Sequence, residues 1–247
     1  MKSEQLEKRG TVAMERPSFI KEGDVRGTEN ITSEDIKPPA LRIAQSGSKE
    51  IKRSEPASYI EDLREGELFN SSSREIYGED PVRLLIVHQL GHRHLEFAPQ
   101  SEGGGVIDFN VPDGDPRTEF TESVIDGKRV RVKPRATKFY DFLILLLREE
   151  GRNQLMTMSL KSTQLKKAVQ LNTLLAQSKM PSFAHLIEAS PVPEKKGAFN
   201  IYGWRFDPVG YPTEAQYTEA SGLYDKLKKV KIEVETEGTE ADPEIPF

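Results

Sequence analysis

Large apolar residues are sparse over residues 1–30, which mix charges, glycine and serine and predict a disordered N-terminal arm. The first apolar run, residues 41–44, lies between Pro38-Pro39 and Gly47 and predicts a short strand, followed by a polar connection over 46–57. Residues 82–89 are rich in Val, Leu and Ile between Pro81 and Gly91, the pattern of a buried strand, with 93–97 as its hairpin partner. Residues 101–118 contain Gly103, Gly104 and Gly105 and then Pro112-Asp113-Gly114-Asp115-Pro116, turn chemistry that predicts a long exposed loop or hairpin excursion. A strong strand pair, 140–148 and 155–160, flanks a turn at 150–153. The period then changes. Leu165, Ala168, Leu171 and Leu175 share one face of a predicted helix over 162–177, with Ser162 or Thr163 as its cap. Strands resume at 183–188 and 199–206 around a tip at 194–197, and a last helix over 213–229 is opened by Pro212.

This order predicts a mainly β fold with two helices. A helix between the third and fourth main strands is the order of a small Greek-key barrel of the oligonucleotide-binding (OB) kind, here with loop elaborations, and other small barrels share it. The expected layout is an arm at 1–30, one domain at 31–231 and a disordered acidic tail at 232–247. The net charge of −5 hides a segregation: 232–247 hold six acidic residues and no Lys or Arg, and removing those six charges leaves +1 for the rest. Such segregation marks an interaction tail. The absence of cysteine excludes disulfides, a cysteine nucleophile and a thiolate zinc site, and it fits a reducing cytoplasm. No stretch is long and apolar enough to span a membrane, and the N-terminus does not read as a secretory signal.

The chain ends Glu240-Ala241-Asp242-Pro243-Glu244-Ile245-Pro246-Phe247. Mutual repulsion keeps acidic residues extended, whereas the apolar tip with its α-carboxylate suits a pocket that takes a ring and pairs the carboxylate with a cation. This ending resembles the acidic Ile-Pro-Phe tip of bacterial single-stranded DNA-binding proteins, and the acidic Phe-ended tails of bacteriophage proteins of the same activity. The match covers about eight terminal residues, and the length and layout of the body look more like the phage type. The resemblance implies that Asp242, Glu244, Ile245, Pro246 and Phe247 dock on replication, recombination and repair proteins, and that the tail competes with DNA for its groove. The zinc-containing phage subtype does not fit, because its cysteine ligands are missing.

Candidate DNA contacts follow from charge and aromatic spacing. Arg129, Arg131, Lys133 and Arg135 alternate with Val130, Val132 and Pro134, which puts four cations on one face of an extended segment, and Lys138 adds a fifth. Such a row either tracks a phosphate backbone or is a solvated edge strand. Tyr202, Trp204 and Phe206 alternate along one strand, a pattern shared by base-stacking platforms and by ordinary cores; Trp204 is the candidate to stack, as is Tyr140, with Tyr77 and Phe97 less supported. Lys161, Lys166 and Lys167 cluster where the middle helix begins, a position that suits phosphate or a solvated face. His88, His92 and His94 lie close in sequence, but no carboxylate stands at familiar ligand spacing, so no metal is expected. Asp113 and Asp115 read first as a turn. Phosphate-loop and nucleophile-elbow motifs are absent.

The resulting expectation is a non-enzymatic, cofactor-free, sequence-nonspecific binder of single-stranded DNA in replication, recombination and repair. It would act in the cytoplasm of a bacterium or phage-infected host, off the membrane. Homo-oligomerisation is compatible with the sequence. The rivals are an adaptor module with a docking tail and a metal-dependent nuclease using the histidines with Asp113 and Asp115.

Overall fold

The computed structural model describes residues 37–99, 105–125, 127–148, 152–196 and 199–235, all within the unit Ser33–Phe247. The N-terminal arm and the tail beyond residue 235 lie outside the described residues. A small antiparallel sheet comes first: β1 (Leu41–Ile43), β2 (Leu68–Asn70) and β3 (Ile76–Gly78). Then follow β4 (Val82–Phe97), β5 (Val106–Asp108), β6 (Thr121–Ile125), β7 (Lys128–Val132), β8 (Ala136–Leu146) and β9 (Gln154–Lys161). Helix α1 (Leu165–Ser178) precedes β10 (Leu186–Lys196) and β11 (Phe199–Gly210), and α2 (Glu214–Leu227) comes last. The main sheet has the order β11-β10-β4-β8-β9, with antiparallel neighbours, and β5 pairs with the far end of β4. Strands β6 and β7 form a separate two-stranded ribbon. The fold is therefore mainly β, antiparallel, with two helices, as expected.

The continuous apolar runs of β4 and β8 follow from burial on both faces. At period two, Leu84, Ile86, Phe142 and Ile144 point to one side, where they pack with Met156, Met158, Ile187, Trp204, the small sheet and Ala168 and Leu171 of α1. Leu85, Val87, Leu143 and Leu145 point to the other, against Phe183 and the Ala220, Leu223 and Leu227 face of α2.

Three expectations are corrected. The predicted hairpin of 82–89 with 93–97 is one strand of 16 residues. Gly91 takes φ +101°, and two register shifts precede it, between Ile86 and His88 and between Gln89 and Gly91, so the strand kinks and continues beside β8, pairing His92 with Tyr140 and Glu96 with Ala136. Residues 183–188 begin as a 3-10 turn, Ser182–Ala184, which buries Phe183 before β10 starts. Helix α1 has no side-chain cap: Ser162–Gln164 form a 3-10 turn, and the Gln164 amide instead accepts from the Trp204 backbone N–H at 2.9 Å. Helix α2 forms where expected, and Thr213 caps it in a capping box with Gln216. Strands β2 and β3 are additional to the predicted elements.

Among the described residues, no backbone ladder joins the two sheet edges, β9 and β11, into a closed barrel. The segment around β1 spans the interval instead. Ala40 makes a parallel bridge to Thr157 of β9, whose N–H donates to Pro39 at 2.8 Å. At the other end, the Gln45 side-chain amide donates to the Tyr202 carbonyl of β11 and accepts from its N–H, both at 2.9 Å. Removing that amide strands two backbone groups in a half-buried site. We expect Gln45→Ala to lower unfolding free energy by about 1–3 kcal/mol in urea titrations; an unchanged midpoint would show that the Gln45 bridge to β11 does not hold the fold.

Candidate nucleic-acid interface

The connection from β4 to β8 leaves the main sheet, and a charge network ties it down. Glu96, on β4, is 4% exposed, so its carboxylate must be neutralised. Arg117 donates to it at 2.8 Å, to Asp108 at 2.9 Å, and through two nitrogens to Asp115 at 2.8 and 3.0 Å. Asp115 also caps the 3-10 turn Pro116–Thr118 by accepting from the Arg117 backbone N–H. The guanidinium lowers the Asp115 carboxyl to about 2, and the three carboxylates raise the Arg117 pKa. Buried Val111 donates its N–H to the His94 carbonyl at 3.1 Å, a second tether.

Beyond these tethers the β6–β7 ribbon is open to solvent, with every residue of β7 exposed. The Arg131 guanidinium lies 3.9 Å over the ring of Phe120, itself 49% exposed, and Arg129 is 3.9 Å from Glu122. Phe109 is 64% exposed, and Ile107 and Val124 are also open to solvent. The sequence reading missed Phe109 and Phe120. Their signal was an aromatic pair in a Gly-, Pro- and Asp-rich excursion with little apolar material to pack against.

The basic row does not persist as one face. Strand β7 ends at Val132, and the chain bends at Arg135, which sits 2.6 Å from Glu96 and completes its neutralisation. Arg129 and Arg131 share the ribbon, and Lys133 follows it in exposed, irregular chain. On β8, Lys138 lies 5.0 Å over the half-buried ring of Tyr140. Lys161, at the end of β9, pairs across the ladder with Phe139 and lies 5.8 Å from its ring. Lys166 is exposed and Lys167 half-exposed in the first turn of α1. Trp204 does not reach this surface: it is 5% exposed, stacks on Phe206 at 5.8 Å, and packs in the inner core. The β11 stripe is core, because period-two alternation points it toward α1 and the inner face of the sheet. Tyr77 is half-buried and its hydroxyl donates to Gln154, while Phe97 rests 6.2 Å from Phe139. The tip residues Asp242, Glu244, Ile245, Pro246 and Phe247 lie outside the described residues. Where the described chain ends, Glu235 accepts from the Ser71 hydroxyl and lies 3.6 Å from Arg42.

The three neighbouring histidines do not converge. His88 turns to Tyr224 of α2, while His92 and His94 meet Asp113 from the Pro-Asp-Gly-Asp turn.

A family model described as Pam3 phage gp34-like protein matches residues 7–233. The chain belongs to this family. The match spans most of the arm and the whole domain and stops before the Ile-Pro-Phe tip. Comparison with curated proteins and with solved structures returned no match.

Because the Asp115 pKa lies below its ordinary value of 3.8, its contribution to holding the excursion is present above about pH 4 and is lost as pH falls toward 2. Amide-exchange protection of residues 105–118 should accordingly stay level from about pH 8 to 5 and fall below about pH 4. Arg117→Met should lower protection there at neutral pH and leave β8 and β9 protected. Equal loss throughout the sheet would show that Arg117 supports the whole domain.

Proposed function

We propose that this chain is a non-enzymatic, sequence-nonspecific single-stranded DNA-binding protein that serves replication, recombination and repair. Its C-terminal tip recruits partner proteins. One observation carries the reading. The β6–β7 ribbon presents exposed Arg129 and Arg131 beside exposed Phe120, with Phe109 exposed on the same excursion, an aromatic–cation surface that core packing does not require. Base–aromatic stacking with phosphate neutralisation is the chemistry of sequence-tolerant single-strand binding.

The sheet order supports an OB-like reading of the main sheet. With β4, β8, β9, β10 and β11 as its five strands, α1 falls between the third and fourth. The basic ribbon then belongs to the connection between the first and second strands. OB folds bind oligonucleotides with that connection and with the face of strands two and three, here β8 and β9, which carry Lys138, Tyr140 and Lys161. Membership of a phage family is consistent with the phage-type layout of the body.

Fluorescence anisotropy with labelled oligo(dT) and a matched duplex, across a salt series, tests this reading. Single strands should bind tightly and duplex weakly. Phe120→Ala should weaken binding about 5- to 150-fold if one base stacks there. The double variant Arg129→Ala, Arg131→Ala should flatten the logarithmic salt slope by roughly 1.4, two phosphate contacts' worth. Absence of binding at low salt, even without the tail, would overturn the proposal and favour a docking adaptor.

Deleting residues 239–247 tests the tail separately. Oligo(dT) affinity should hold or rise, and capture of replication and repair proteins should be lost. A clear fall in DNA affinity would contradict a tail that competes for the groove.

A further inference from the structure

His92 and His94 stand two residues apart on β4, so period-two alternation sends both rings to the same face. Asp113 reaches that face from the turn after β5, where Gly114 takes φ +82° and lets the chain reverse tightly. Its carboxylate lies 2.8 Å from His92 Nε2 and 3.1 Å from His94 Nδ1, and one ligand atom from each residue falls within 4.8 Å of the others. Ligands at zinc-like bond lengths in a tetrahedron are separated by about 3.3 Å, so little movement is needed to close this set on an ion.

The contacts within the cluster leave one group unsatisfied. His94 is 8% exposed, and its Nδ1 makes no hydrogen bond even though a carboxylate oxygen lies 3.1 Å away. An imidazole nitrogen that presents its lone pair to a carboxylate oxygen is repelled by it. A cation between the two would satisfy both. Asp115 cannot serve the same purpose, being held in a two-point grip by Nε and Nη2 of Arg117. The opposing feature is Lys138, paired with His94 across the β4–β8 ladder, whose ammonium turns over Tyr140.

We propose that His92 Nε2, His94 Nδ1 and the Asp113 carboxylate form a site for a first-row divalent transition ion of the zinc class. Two imidazoles and one carboxylate suit such an ion better than magnesium or calcium, which prefer all-oxygen sets. Three protein ligands leave at least one coordination position for solvent, on the side where the Asp113 side chain is 66% exposed. The ion would staple the Asp113 turn to β4 at the root of the excursion. This site stands independently of the single-strand reading, because metal binding is measured without DNA.

The test is a Co2+ titration of the tag-free full-length chain, read by visible absorption and followed by Zn2+ competition. With four histidines and no cysteine in the chain, competing imidazole sites are few. One equivalent should bind with ligand-field bands, and Zn2+ should displace it. Asp113 is exposed, so Asp113→Asn should fold normally and weaken binding by at least the roughly 10–100-fold that even an outer-shell change costs. His92→Ala should do the same, and Lys138→Met should tighten binding. In long-range imidazole NMR spectra, Zn2+ should move the His92 and His94 resonances and leave His88 and His185 in place. Absence of stoichiometric binding would overturn the proposal, as would affinity that survives both Asp113→Asn and His92→Ala.

Discussion

Strands β4 and β8 pair along most of their length, and both faces of that pair are apolar. A sheet in that condition cannot leave either face to water, so two covering layers are obligatory. The inner face takes α1 and the small β1–β3 sheet; the outer face takes α2. Chain order then determines where cover runs out. Beyond the kink at Gly91, the second half of β4 and its β8 partner add buried polar residues, His94, Glu96 and Asp141, to buried Leu95, Ala136 and Phe139.

Those buried polar groups dictate what the β4–β8 connection can do. A carboxylate as enclosed as Glu96 requires cations within hydrogen-bond reach, and both come from the connection: Arg117 from its middle and Arg135 from its end. Neutralisation at this one point therefore tethers the excursion near both ends of the ribbon. Arg135 belongs to that tether. Its place in a period-two run with Arg129 and Arg131 is accidental, since the strand has ended before the chain reaches it.

What could be read from sequence divides along the same physical line. Local periodicity revealed the strands at 82–89, 140–148 and 155–160 and both helices, because two-sided burial and a helical stripe leave direct marks. Gly91 was misread, since a glycine between apolar runs marks a turn and a bulge equally well. The alternation of Tyr202, Trp204 and Phe206 was visible, but alternation says which residues share a face and not which face meets water. The side-chain contacts of Gln45 and Gln164 with the β11 backbone left no trace, because a lone amide has no period. Asp113 was invisible as a partner of His92 and His94 for another reason: the contact spans about twenty residues of turn-rich chain and depends on where Val111 and Arg117 anchor it.

The ribbon's cations differ in kind from those of the tether. The Arg129–Glu122 pair is 3.9 Å apart with both side chains largely solvated, a geometry that contributes little in water. Such a charge keeps its field for an incoming polyanion, whereas Arg117 and Arg135 are already committed to buried or networked carboxylates. Arg131 over Phe120 adds a flat, partly desolvated surface to that field. In the proposed role the affinity therefore comes from a short ribbon of two guanidiniums and one ring, extended toward β8 by Lys138 and Tyr140, more than from a long basic groove. In that role, a chain whose first 231 residues carry only +1 would gain polyanion affinity by concentrating exposed charge, and an acidic tail of −6 would be strong enough to compete for it.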